Sequence, residues 1–577
     1  MERLLKNRKW IYIYLLVSSL ILFLAAFFPS LSRNEISIST DEFGYWANAA
    51  YLSGYDWSGV SSIIPYYSFG YSLLLALGFV ITNDPIILYR FSIGINSIAI
   101  VFSYLLLFSI GQKIFTGFKG TRGIALKTLC PFVIMLYPAN IYLAQFSMGE
   151  CVITTLFLAI CLLLILYKEK KRSVFLILSY LCAVFMLSIH LRTIAVLFAL
   201  FAFTVLDGII HKKYKQVVLL CVFCSLFIIV ILLVKNNFIR ELYSSQGMGH
   251  LNDVSTQLNR VTNLISPRKF LEFIENLLGT SFYLGSATFL IFYFGIREIF
   301  PSRRNLHHIA EWIEIDYLKI FLLMSFSVGL LISAITIQGR TRVDLMIYGR
   351  YVENYLPIIL LYGLYGILFG ENNIKYLILF SFYNTVVMSV YTYVYSNEPY
   401  NNPVLFAVSS LVGYIMREDG TVLQHFEFFV NYISIGIGSI IVLLNSRKCR
   451  SDFLTILSFV LISIFWCSYT NKAFDVSKDL FCNKYSQYYN NMNLDSEKVY
   501  YVTNQGDRNS WYDYSNINFL QFLNPETKIA QADTSELQSL PDDSVIIIRS
   551  NTTIPDWRMR RLSCIEEGPF NLYIKKK

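Results

Sequence analysis

Apolar runs of about twenty residues alternate with short polar turns along most of the chain, up to about Asn471. A helix of that length crosses the ~30 Å hydrocarbon core of a bilayer. About thirteen such spans are predicted, at 10–29, 87–111, 129–146, 151–167, 173–189, 194–210, 217–234, 281–297, 319–337, 355–370, 375–396, 427–445 and 453–470. Residues 69–82 are also apolar. Counting them as a span would turn the basic clusters at 113–127 and 168–172 to the opposite side, against the charge bias that orients short loops. They are therefore read as interfacial or re-entrant, buried against protein. The N-terminus is then cytoplasmic and, with an odd span count, the C-terminus lies outside. After Asn471 the pattern turns polar. Strands are predicted at 498–503, 528–532, 544–549 and 571–575, with helical stretches at 510–523, 534–540 and 555–563. That alternation predicts a small α/β lobe. The expected fold class is a polytopic α-helical membrane protein, with residues 1–471 in the membrane and 472–577 forming an extracytoplasmic α/β domain.

Composition strengthens this picture. Of 577 residues 55% are hydrophobic and only 15% charged, against about 25% charged in soluble domains. The net charge of +9 does not point to nucleic acid. Its basic residues fall in short clusters between spans, such as Lys168/Lys170/Lys171/Arg172 and Lys212/Lys213/Lys215, the spacing of cytoplasmic loops. The run from Trp10 to Phe28 is too long for a cleavable signal, so it is read as the first of many spans. Cys221 and Cys224 form a C-x-x-C inside an apolar helix and read as small packing residues. Cys482 and Cys564 are the cysteines of the outer lobe, and a disulfide between them is left open. His307-His308 lies in a predicted inner loop without a ligand set.

Candidate chemistry collects on the outer side. Ser39 and Glu42 have capping-box spacing, which predicts a helix over 40–52 carrying Asp41, Glu42, Tyr45 and Trp46. Neighbouring helical residues diverge by about 100°. Either both acids serve the helix start, or one faces a cavity as a general base while the other caps. Glu150, Arg192 and Arg350 fall at outer ends of spans, where acids can sit in turns and arginines can snorkel to headgroups. Residues 256–278 place Phe270, Phe273, Ile274, Leu277 and Leu278 on one helical face, an interfacial helix or a lid.

Taken together these segments resemble the GT-C glycosyltransferases, most nearly the branch of protein O-mannosyltransferases and aminoarabinose transferases. The resemblance rests on Asp41-Glu42, Tyr45, Ala49-Ala50, Gly54 and Pro65-Tyr66-Tyr67…Gly70-Tyr71, then Tyr137-Pro138 with Ser147-Met148-Gly149-Glu150, Leu191-Arg192-Thr193, and Gly349-Arg350-Tyr351 with Pro357. It implies inverting transfer of a sugar from a polyprenyl-phosphate donor to an acceptor glycan, lipid or protein. Asp41, Glu42 and Glu150 become the catalytic candidates. Arg192, Arg350 and Tyr351 become candidates for the donor phosphate, and Tyr45, Trp46, Tyr66 and Tyr67 for the sugar or acceptor. No cofactor is assigned, and a divalent metal ion shared by Glu150 is left open; the resemblance also implies a multi-pass protein of the plasma membrane. Trp511-Tyr512-Asp513-Tyr514 lacks the second Trp and final Gly of the oligosaccharyltransferase signature, which argues against block transfer to asparagine. The alternative reading is a transporter, flippase or polymerase of lipid-linked glycans.

Overall fold

The computed structural model describes residues 8–31, 36–243, 254–300, 317–337, 342–396, 403–446 and 451–481. In the terminal lobe it describes 498–503, 511–549, 559–563 and 570–575, apart from isolated positions. The main helices are α1 (Arg8–Leu31), α2 (Thr40–Leu52), α3 (Gly70–Ile81), α4 (Pro85–Ile114), α5 (Gly120–Met135), α6 (Glu150–Lys170), α7 (Ser173–Ile189) and α8 (Ile194–Ile210). They continue with α9 (Tyr214–Leu242), α10 (Pro267–Ala287), α11 (Ile291–Ile299), α12 (Tyr317–Thr336), α13 (Leu356–Phe369), α14 (Asn373–Tyr395), α15 (Phe426–Leu444), α16 (Asp452–Val476) and α17 (Trp511–Leu523).

Nine helices among the described residues are long and apolar enough to cross a membrane, and each coincides with a predicted span. The other four predicted spans are shorter or broken. Residues 173–189 and 355–370 form the short apolar helices α7 and α13. Residues 129–146 divide between α5 and a helix over Pro138–Leu143, because Pro138 lacks the N–H that a continuing helix would need. The expected single helix over 281–297 is replaced by α10 and α11, bent by 113°. The break falls where Phe289 and Leu290 take positive φ values of 54° and 64°, a conformation that cannot propagate a right-handed helix. Helix α3 has 12 residues, or about 18 Å, too short to cross the bilayer core.

Helix α10 is inverted relative to a helix in water. Phe270 and Leu271 are exposed, while Glu272, Glu275 and Asn276 are buried. Lipid accepts the apolar face, and the buried polar groups find protein partners. Lys269 and Arg268 reach Glu272 at 2.7 and 3.6 Å, and Asn276 donates to the Ala334 carbonyl at 3.3 Å.

The terminal lobe is a five-stranded sheet of β1 (Val499–Thr503), β2 (Ile529–Asp533), β3 (Val545–Arg549), β4 (Met559–Ser563) and β5 (Phe570–Lys575), in the order β2-β1-β3-β5-β4. β1 pairs parallel with β2 and β3, and β5 pairs antiparallel with β3 and β4. The four predicted strands are present. The stretch 559–563, expected to be helical, is instead an edge strand on β5, and over 534–540 the helix is a single 3-10 turn, Thr534–Glu536. The last span continues to Val476, past the boundary expected at 471. Cys482, Cys564, His307 and His308 lie outside the described residues.

The lobe rests on the first polar segment of the membrane part. Trp57 Nε1 donates to the Pro525 carbonyl at 2.8 Å, Lys528 pairs with Asp56 at 2.5 Å, and Asn83 donates to Glu526 at 2.5 Å. A Cβ on Gly59 would lie 2.1 Å from the Ile529 carbonyl oxygen, so this close approach requires glycine. These contacts seat the segment that follows α2 against the lobe.

Candidate functional site

Four charged residues distant in sequence meet where four helices begin. Asp41 lies in the first turn of α2. The predicted capping box is formed: Glu42 N–H donates to Ser39 Oγ at 3.4 Å, and Ser39 N–H donates to Glu42 Oε2 at 2.9 Å. Glu150 is the first residue of α6, Arg192 sits in the 3-10 turn that leads into α8, and Arg350 occupies the loop before α13.

Arg350 is the centre of the cluster. Its Nη1 donates to Asp41 Oδ2 at 2.8 Å and its Nε to Glu150 Oε1 at 2.6 Å. Its Nη2 contacts Met148 Sδ at 3.1 Å, and its guanidinium lies 4.7 Å from the centre of the Phe406 ring. Burial opposes the charge of Arg350, but Glu150 and Asp41 outweigh it and hold its pKa well above the ordinary arginine value. Arg192 Nη2 donates to Glu150 Oε1 at 3.3 Å, with its guanidinium 4.7 Å from the centre of the Tyr351 ring. Tyr67 donates its hydroxyl to Asp41 Oδ1 at 2.6 Å. Glu150, Arg192 and Arg350 are buried, whereas the Asp41 side chain keeps 27% of its exposure. Two acids and two arginines balance, as buried charge requires.

The cluster is not saturated. Among the described residues, Arg192 Nε and Nη1 and Glu150 Oε2 are buried without a hydrogen-bond partner. A narrow cavity beside them is lined by Glu150, Arg192, Arg350, Asn140, Glu353 and Asn354. Buried polar groups are normally satisfied. Two guanidinium nitrogens with free N–H groups match an oxyanion with several acceptors, above all a phosphate.

The adjacent acids part as the helical angle requires. Glu42 turns away from the arginines and accepts from Ser147 N–H at 2.7 Å and Tyr89 hydroxyl at 3.3 Å. Burial raises its pKa to about 7, with the N–H groups of Ser39 and Ser147 pulling the other way. Glu42 therefore ties α2 to the loop that presents Glu150. Tyr45 lies beside the cluster: its ring meets Tyr67 and Tyr71 at 5.7 and 5.5 Å, and its hydroxyl reaches the Ile189 carbonyl at 3.5 Å. Tyr351 packs against Tyr348 and His190. Tyr66 packs instead on Tyr243 and Lys235. Trp46 is fully buried against Phe79 and Phe522, at the contact with the lobe. Phe406 and Glu353 join the neighbourhood of Arg350 unpredicted: Glu353 lies within the Gly349-Arg350-Tyr351…Pro357 element but nothing there singles it out, and the segment of Phe406 has no distinguishing pattern.

A divalent ion fits this arrangement poorly. Arg350 stands between Asp41 and Glu150, where a cation shared by both would sit. Among the described residues no three His, Cys, Asp or Glu side chains converge on a common point.

No family model and no curated protein matches the chain. Solved structures do. The chain is similar to ArnT from Cupriavidus metallidurans bound to undecaprenyl phosphate, with a TM-score of 0.50 and 10% identity over 98% of both chains. It is also similar to the oligosaccharyltransferase AglB from Archaeoglobus fulgidus (TM-score 0.40, 10% identity, covering 94% of this chain and 69% of that one). A further match is the arabinosyltransferase EmbB from Mycobacterium smegmatis (TM-score 0.36, 14% identity, covering 82% and 45%). The fold of this chain is the GT-C membrane fold that the sequence resemblance implied.

Proposed function

We propose that this chain is a membrane glycosyltransferase that moves a sugar from a polyprenyl-phosphate donor to an acceptor hydroxyl on the outer face of the membrane. The observation that carries the reading is the unsaturated cluster of Asp41, Glu150, Arg192 and Arg350. Fold likeness to ArnT, solved with undecaprenyl phosphate, supports the donor class. In this reading the donor phosphate engages Arg192 through its free N–H groups and draws Arg350 partly from Asp41. Asp41 then accepts the proton of the acceptor hydroxyl as its oxygen attacks the anomeric carbon. The bond from that carbon to the phosphate oxygen breaks, and the polyprenyl phosphate leaves with the electron pair. Its growing charge is met by the two arginines, and attack opposite the leaving group inverts the anomeric carbon. Glu150 holds both guanidinium groups in place. Tyr67 orients Asp41, and the Tyr45 ring forms part of the wall against which a sugar would pack.

Purified protein in nanodiscs, given a radiolabelled polyprenyl-phosphate sugar, should consume it and release polyprenyl phosphate, and Asp41→Asn should not. An inert wild-type protein across hexosyl and pentosyl donors would sink the reading in favour of a transporter. The orientation is part of the same proposal: a cysteine introduced at exposed Ser539 of the lobe should react with an impermeant maleimide from the outside. Labelling from the inside alone would reverse the topology.

A further inference from the structure

Glu353 lies three residues after Arg350, and among the described residues it makes no ion pair with Arg350 or Arg192, which pair with Asp41 and Glu150. It is nonetheless buried, with 6% exposure, and its carboxylate is surrounded by hydroxyl donors. Ser409 Oγ donates at 2.9 Å and Ser410 Oγ at 3.2 Å. The Tyr283 hydroxyl donates to Glu353 Oε1, and itself accepts the Ser410 N–H at 3.0 Å. Tyr283 Oη therefore accepts from the backbone and donates to Glu353. The carboxylate thus fixes three segments at one point: α10, the stretch around 405–410, and the loop of Arg350.

Independent observations place the Arg350 loop on the same two neighbours. The N–H groups of Gly349 and Arg350 both donate to the Ala407 carbonyl, at 2.9 and 3.2 Å. A Cβ on Gly349 would lie 1.8 Å from the Tyr283 ring, so the loop can dock on Tyr283 only because residue 349 has no side chain. Phe406, one residue before Ala407, is the ring beneath the Arg350 guanidinium. We infer that Glu353 is a positioning residue, which clamps the Arg350 loop between Tyr283 and the Phe406–Ser410 segment and so sets where the guanidinium meets the donor phosphate. This deepens the functional reading above and rests on it for the identity of the ligand.

The clamp works by hydrogen bonds. Glu353→Gln can keep its oxygen toward Tyr283 and turn its amide to Ser409, whose hydroxyl can also accept. Glu353→Ala leaves buried hydroxyls unpaired. Tyr283→Phe removes both the bond to Glu353 and the acceptor for Ser410 N–H, and it tests the clamp even if the alanine variant fails to fold. The probe is phenylglyoxal modification of Arg350 in the full-length protein, read by peptide mass spectrometry, with exposed Arg240 as the internal reference. Binding of a polyprenyl phosphate is measured in parallel. Breaking hydrogen bonds to a buried charged group should raise Arg350 labelling and weaken lipid-phosphate binding by roughly ten- to a hundredfold in Glu353→Ala and Tyr283→Phe. Glu353→Gln should stay within about threefold of wild type. Wild-type labelling of Arg350 in a folded Glu353→Ala or Tyr283→Phe protein would overturn the inference, as would a change in Glu353→Gln as large as in Glu353→Ala. A wild-type protein that binds no polyprenyl phosphate would overturn the functional reading instead, and the labelling would still decide the clamp.

Discussion

Helix α8 has Arg192 two residues before its start and Asp207 in its last turn, about 22 Å apart along the axis. A polar cluster surrounds each. At the lysine-rich end, Asp207 uses both oxygens fully. Oδ2 accepts from the Tyr167 hydroxyl at 2.8 Å and from Lys213 at 3.4 Å. Oδ1 accepts from the Tyr317 hydroxyl at 3.3 Å and faces His211 Nδ1 at 3.1 Å. Its partners Lys213 and His211 are partly exposed, so each can also reach water. At the other end, Glu150 gives one oxygen to two arginines and leaves the second bare, while Arg192 keeps two buried donors unspent. Both clusters contain charge; one of them is complete. A complete cluster holds helices together, and an incomplete one waits for a ligand, because an unpaired buried donor is costly unless something fills it.

The comparison breaks hardest at Asp41. Asp41→Asn should lower sugar transfer by about 10²–10⁴-fold, the range of general-base assistance, in protein that still folds and inserts. Glu42→Gln should leave most of the turnover, since Glu42 faces Ser39, Ser147 and Tyr89. Reversed outcomes for the two variants would move the base one residue along the helix.

A smaller contrast separates the cations at the two ends. Arg192→Ala should weaken polyprenyl-phosphate binding by roughly ten- to a hundredfold, the loss of charge-assisted hydrogen bonds. Arg350→Lys should fall between it and wild type, because it keeps the charge without the fork. Lys213→Ala should leave binding unchanged. Equal losses for Arg192→Ala and Lys213→Ala in a titration calorimeter would show that net charge, rather than the unsaturated site, attracts the lipid.

Glu42 adds a pH dependence beside the unsaturated cluster. Its folded pKa of about 7 lies above the usual carboxylate value, so the folded state binds the proton more tightly than the unfolded state. Its stabilising contribution is complete below about pH 4.5 and is lost as pH rises toward 7. Melting temperature should therefore decline across that window and level off above it, and Glu42→Gln should flatten the decline. An unchanged slope in Glu42→Gln would assign the dependence to another group.

The sequence carried these features unevenly. The spans were legible because lipid demands long apolar runs, and the Ser39–Glu42 box because capping is local. Glu150, Arg192 and Arg350 stand at the ends of predicted spans and Asp41 in the polar segment after the first span, which places them on one side. Their meeting depends on how helices pack across more than three hundred residues, which no local pattern records. Trp46 looked like a sugar platform beside the acids, but Phe79 and Phe522 cover it, and the residue facing it from the lobe is distant in sequence. The 113° bend at Phe289-Leu290 was hidden for the opposite reason. Both residues are apolar, so hydropathy runs straight through a break that only their left-handed backbone reveals.

The smallest effect is the sharpest check on the contrast. Asp207→Asn keeps the size of the side chain and one carbonyl acceptor but removes the charge that Lys213 and His211 face. The amide must then place a donor toward one of the hydroxyls, Tyr167 or Tyr317, which now donate to it. Each of these hydroxyls can rotate to accept, and the freed lysine can be solvated at its exposed end, so the loss should be about 1 kcal/mol. It should be seen as a lower melting temperature, with sugar transfer per folded molecule within about twofold of wild type. Asn at 207 and Asn at 41 then make different signatures from the same chemical change: a loss of stability alone at one end, a loss of transfer in folded protein at the other. A large loss of transfer in folded Asp207→Asn protein would mean that α8 couples its two ends. The lysine-rich cluster would then be part of the working site rather than its structural counterpart.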